Sequence, residues 1–72
     1  MSVSETVDAR GLSCPQPALL TRQALKRTSG KEVTVLVDTA TQVQNCTRTA
    51  EQLGWQAVCE ENEGTFRLRL RR

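Results

Sequence analysis

The run Thr65-Phe-Arg-Leu-Arg-Leu-Arg71 constrains the fold more than any other stretch of this chain. Phe66, Leu68 and Leu70 fall on one side of it, and Arg67, Arg69 and Arg71 on the other. That is the period of a strand with one dry face and one wet face. Such a strand needs a sheet to pair with and a layer to cover its apolar side. Its first neighbour is set locally. Asn62-Glu63-Gly64 reads as a hairpin turn, with glycine supplying a positive φ, so residues 55–60 form the antiparallel partner strand.

The covering layer comes from upstream. Residues 3–8, with Val3 and Val7, read as a first strand. From Pro15 to about Thr28 the pattern is helical: Ala18, Leu20, Thr21, Ala24 and Leu25 share one side, and Arg22, Gln23, Lys26 and Arg27 the other. Ser29-Gly30 stops this helix, with basic residues in its last turns where they suit the dipole. Val33 to Val37 is a buried strand rich in β-branched residues. Asp38 and Thr39 are candidate N-caps for a second helix. Its stripe runs through Ala40, Val43, Cys46, Thr47, Ala50 and Leu53, and Gly54 ends it. The order is βαβαββ. It predicts an α+β two-layer sandwich, with a four-stranded mixed sheet and both helices on one face, in a single domain spanning residues 1–72.

A core this small supplies only a few kcal/mol of surplus stability, so a disulfide or metal staple would help it. The composition speaks against both. There are three cysteines and no histidine. An odd count cannot pair fully within one chain, and Cys14, Cys46 and Cys59 are too scattered for a zinc site. Free thiols point to a reducing compartment, the cytoplasm. No signal-peptide pattern is visible, and the apolar run at 33–37 is far too short to span a membrane. A formal net charge of +2 gives little reason to expect nucleic acid as a direct partner.

The chemistry concentrates at Cys14. It is expected at the N-cap of the first helix, with Pro15 at N1 and Pro17 at N3. Pro17 has no N–H, so Gln16 is the remaining local donor to a cap. The two prolines hold the first turn still. A thiol there feels the positive end of the helix dipole, which favours the nucleophilic thiolate, and Arg10 can add positive charge. Cys46 and Cys59 have a plainer reading as small buried hydrophobes. Cys46 lies on the second helix's stripe, and Cys59 alternates with Trp55 and Ala57 on the third strand.

Asp8-Ala-Arg10-Gly11-Leu12-Ser-Cys14-Pro15-Gln-Pro17 resembles the signature of the TusA/SirA-like sulfur-carrier proteins. That pattern is a strand ending in aspartate, an arginine-glycine turn, and Cys-Pro-x-Pro opening a helix. The likeness covers the whole chain, and Asn45-Cys-Thr-Arg48 ahead of Gly54 resembles the second helix of the branch associated with YedF. The resemblance implies sheet order 1-2-4-3. It also implies a sulfurtransferase-type carrier whose cysteine, here Cys14, accepts sulfane sulfur as a persulfide and passes it on. The implied partners are a protein donor, such as a cysteine desulfurase or rhodanese-like protein, and a protein acceptor. No cofactor and no metal is implied. The relay would serve tRNA thiolation, molybdenum cofactor biosynthesis or sulfur oxidation, and selenium handling would use the same nucleophile.

Around Cys14, Arg10 has two readings: electrostatic support for the sulfur anion, or a local ion pair with Asp8 that shapes the loop. Gly11 allows the turn. Leu19 falls off the apolar stripe, among Arg22, Gln23 and Lys26, and marks a docking contact with Arg22 and Lys26 as its rim. The arginines of the last strand read as a solvated face balanced by Glu60, Glu61 and Glu63. Asn45 and Arg48 receive no physical role. The isolated protein is expected to be a monomer. Two other classes of function remain. A non-catalytic regulatory or interaction module would keep its activity in Cys14→Ser. A thiol redox protein would need Cys46 as the resolving partner of Cys14.

Overall fold

The computed structural model describes residues 4–13, 15–28, 30 and 32–72. Val3, Cys14 and Ser29, which carried sequence expectations, lie outside the described residues. Six elements follow in order: β1 (Ser4–Asp8), α1 (Gln16–Arg27), β2 (Glu32–Val37), α2 (Ala40–Gln52), β3 (Gln56–Asn62) and β4 (Thr65–Arg71). The sheet order is β1-β2-β4-β3, as the resemblance implied. β1 runs parallel to β2, and β4 is antiparallel to both β2 and β3.

The core follows from strand alternation. Val33, Val35 and Val37 of β2 are buried, while Glu32, Thr34 and Leu36 on the opposite face are half-buried. Val35 stands opposite Val7 on one side and Leu68 on the other, so the apolar positions of three strands line up. α1 brings Ala24 and Leu25 to that face, α2 brings Cys46 and Ala50, and Trp55 closes one end. Each fully buried leucine here, Leu68 or Leu70, contributes about 2 kcal/mol of transfer free energy. Pro17 also turns inward, and the buried Thr21 hydroxyl is satisfied by donating 2.8 Å to the Pro17 carbonyl.

β3 runs two residues further than the pattern predicts, because the hairpin loop is only Glu63 and Gly64. Both have positive φ, 52° and 81°, the geometry that matches the twist of two antiparallel strands. α2 ends as expected: the Gly54 N–H donates to the Glu51 carbonyl and the Trp55 N–H to the Ala50 carbonyl. Arg72 then lies 4.9 Å over the Trp55 ring. Glu60 on β3 stands opposite Arg67, and β2 adds an acidic counterpart that the sequence reading did not include. Glu32 on β2 faces Arg69 at 3.6 Å and Arg71 at 3.8 Å, because β4 lies between β2 and β3.

Three burial expectations are corrected. Cys59 is exposed, although it alternates with the buried Trp55 and half-buried Ala57. β3 is an edge strand, and helix cover is lost toward its hairpin end. Ala40 and Leu53, at the two ends of the α2 stripe, are also exposed. In their place Gln42 is buried, on the same i, i+4, i+8 row as Cys46 and Ala50. Cys46 is buried as expected. Burial pushes its thiol pKa up, partly offset by a hydrogen bond with Thr21.

Candidate functional site at the head of the first helix

The parallel strands β1 and β2 end side by side, at Asp8 and Val37. The chain leaves β1 and must turn there into α1. Residues 9–13 make that turn, and three contacts hold them. The Ala9 N–H donates 2.8 Å to the Leu36 carbonyl, continuing the sheet by one residue. The Gly11 N–H donates 2.9 Å to the Asp38 carboxylate, with Gly11 at φ 77°, a conformation glycine adopts without strain. The Leu12 carbonyl accepts from Gln42 Nε2 at 2.6 Å. The last two partners flank the start of α2, so that segment grips the turn ahead of Cys14.

Asp38 therefore does not cap α2. Thr39 does, its Oγ1 accepting 3.2 Å from the Gln42 N–H. The carboxylate of Asp38 is left to reach the loop.

α1 begins one residue later than predicted. Pro15 is its N-cap, at φ −100° and ψ 19°, Gln16 is N1 and Pro17 is N2. Cys14 thus precedes the cap instead of occupying it. The Gln16 N–H, expected as the donor to a cysteine cap, donates instead to the Ser13 carbonyl at 2.9 Å. Among the described residues no side chain caps the first turn of α1, and its two prolines bring no N–H. The residues on either side of position 14, Ser13 and Pro15, are exposed.

Asp8 and Arg10 form the ion pair that one reading foresaw. Arg10 Nε and Nη2 donate to the two carboxylate oxygens at 2.9 and 2.8 Å, and its backbone N–H adds a third contact at 3.2 Å. Hydrogen bonds from the Arg10 side chain, then its backbone, lower the Asp8 pKa to about 2. The same carboxylate pushes the Arg10 pKa up. Asp8 and Arg10 stay ionised together and shape the turn.

Leu19 is 50 % exposed, as its phase predicted. It borders a groove of about 250 Å³ between the two helices, together with Pro15, Arg22 and the exposed Leu53. Arg22 is therefore brought to Leu19. Lys26 is exposed further along α1 and does not line this groove. Asn45 is half-buried and Arg48 exposed on α2.

Sequence reasoning missed Asp38 and Gln42 as supports of the loop, and Leu53 as a wall of the groove. Gln42 was detectable from its spacing to Cys46 and Ala50. The partner of Asp38 was not, since it lies 27 residues away in the chain.

Among the described residues no helix is long and apolar enough to cross a membrane. A family model described as sulfurtransferase TusA matches residues 5–72. A candidate sulfur carrier protein of Methanocaldococcus jannaschii is 38 % identical over 64 residues, covering 86 % of this chain and 85 % of that protein. The crystal structure of a SirA-like protein from Desulfitobacterium hafniense superposes with a TM-score of 0.83 at 33 % identity, covering 93 % of this chain and 95 % of that one.

Proposed function

The chain belongs to the TusA sulfurtransferase family, and from that premise we propose that it is a sulfur carrier whose working atom is the sulfur of Cys14. The Cys14 thiolate attacks the outer sulfur of a donor protein's persulfide. A new S–S bond forms on Cys14, the donor's S–S bond breaks, and the donor cysteine leaves as a thiolate. An acceptor thiolate then attacks the outer sulfur on Cys14 and returns it to its starting state. The two exchanges balance without an outside oxidant or reductant. The persulfide is an anion at the head of a helix, where negative charge is favoured.

One observation carries this reading. The loop ahead of Cys14 is fastened at three points, while the residues flanking position 14 are exposed. That combination suits a nucleophile that must be reached by two different proteins. The groove beside Leu19 and Arg22 supports docking of the donor or acceptor against α1. The carrier works in the cytoplasm, where thiols stay reduced.

The thiol redox alternative loses ground, because Cys46 is buried in the core and raised in pKa by that burial. Incubation with a cysteine desulfurase and cysteine, followed by intact mass measurement, tests the carrier reading. The wild type should gain one sulfur. Cys14→Ser should gain none, while Cys46→Ser and Cys59→Ser should still load. Loading that persists in Cys14→Ser sinks the assignment.

A further inference from the structure

Gln42 is a polar residue in a place where a small domain gains by being apolar. It is 7 % exposed and lies in line with Cys46 and Ala50 on the buried row of α2. Its Nε2 donates 2.6 Å to the carbonyl of Leu12, two residues before Cys14 in the chain. That contact fixes the orientation of the amide, since a backbone carbonyl can only accept. The amide oxygen is therefore turned away from Leu12, and it is buried without a hydrogen-bond partner among the described residues. A buried acceptor left unpaired is destabilising, and a native protein retains one for a reason other than stability.

We propose that Gln42 is a positioning residue for Cys14, holding the Leu12 carbonyl through its Nε2. The proposal rests on Cys14 being the working thiol, and it adds the group that fixes where that thiol is presented. The mechanical route is short. Thr39 and the first turn of α2 fix the Gln42 backbone, since the Gln42 N–H caps onto Thr39 Oγ1 at 3.2 Å. The side chain then spans from α2 to the loop that enters α1. Asp38, four residues earlier, holds Gly11 in the same loop through a second bond. With both bonds made, the Gly11 N–H is held by Asp38 just ahead of α2 and the Leu12 carbonyl by Gln42 within it, and position 14 follows two residues on in the chain. The helix-dipole effect falls off within one turn, so the placement of the sulfur decides how much of it the thiolate receives.

Gln42→Met keeps the length of the side chain, removes the donor and also removes the unpaired oxygen. Gln42→Glu keeps the shape and sets an acceptor against the Leu12 carbonyl. Gln44→Met, on an exposed position of α2, is the control. Three measurements separate the outcomes: the melting temperature, the pH midpoint of Cys14 alkylation followed by peptide mass mapping, and the rate of sulfur loading. Gln42→Met should melt at or above the wild-type temperature. Its Cys14 midpoint should rise by about half a pH unit toward that of a free thiol. Loading should slow by about tenfold, the scale expected when a reacting group is misplaced. Gln42→Glu should show larger shifts, and Gln44→Met none. A folded Gln42→Met with wild-type midpoint and loading overturns the proposal. So does a Gln42→Met that fails to fold, because the side chain would then be structural. Alkylation reads the position of Cys14 whether or not it carries sulfur. A wild type that never loads defeats the carrier reading and leaves the positioning comparison intact.

Discussion

The two helices of this protein begin in opposite ways. α2 opens on Thr39, whose hydroxyl accepts the Gln42 N–H, an ordinary side-chain cap. α1 opens on Pro15, with no side-chain cap among the described residues and a second proline at N2. The first arrangement satisfies a donor by hydrogen bonding. The second removes donors and presets φ. α2 therefore starts as an anchor. It holds the incoming loop with Asp38 and Gln42. α1 starts as a platform, stiff yet uncapped by any described side chain, with exposed residues around position 14. One helix head holds a loop still; the other, with Ser13 and Pro15 exposed, is the one that the proposed sulfur transfer would use.

The largest perturbation would erase this contrast altogether. Leu68→Ala removes a fully buried side chain beneath the helices and should destabilise by about 3 kcal/mol, most of what a domain this small possesses. Urea titration should find its midpoint moved close to zero denaturant near neutral pH, with both helix heads lost together. Thr39→Ala acts on the anchor alone. It should lower stability by about 1 kcal/mol, seen as a melting temperature lower by about 4–8 °C. Pro15→Ala acts on the platform. Its stability change should be smaller, about 0.5 kcal/mol, because it works mainly through the unfolded chain. If the contrast holds, sulfur loading should slow more in Pro15→Ala than in Thr39→Ala, despite the smaller loss of stability. The reverse order would mean that both heads do the same job.

The finest test concerns the Asp8–Arg10 pair. Asp8 has a folded pKa of about 2, below its ordinary value, so its contribution to stability is complete above the unfolded carboxylate range. That contribution fades as pH falls toward the folded value. In Arg10→Gln the Asp8 carboxyl should titrate near the ordinary value of about 3.9, read directly by NMR. Stability at neutral pH should barely move, since both groups are well exposed. A large loss of stability would instead give this pair a structural weight that its exposure argues against.

Wherever one periodic row faced one layer, the sequence was sufficient. The alternation of residues 65–71 made β4, with Leu68 and Leu70 buried and Arg67, Arg69 and Arg71 exposed. The helical phase put Ala24 and Leu25 inside and Leu19 outside. Cys46 followed its stripe into the core. The stop at Gly54 and the glycine of the hairpin turn, Gly64, came from residues that tolerate positive φ. In each case the deciding force acts over a few residues, and the chain carries it in its spacing.

Only the assembled sheet decided the rest. Cys59 sits in a row that looks buried, yet its strand lies at the sheet's edge and the residue itself is exposed. Gln42 is buried because a loop 30 residues away in sequence crosses over it. Asp38 looked like a cap because nothing nearby revealed Gly11, 27 residues upstream. Even the start of α1 moved by one residue once the Ser13 carbonyl took the Gln16 N–H. Local spacing states which side of an element is apolar. It does not state what is laid against that side, because that depends on contacts between residues that the chain brings together only by folding.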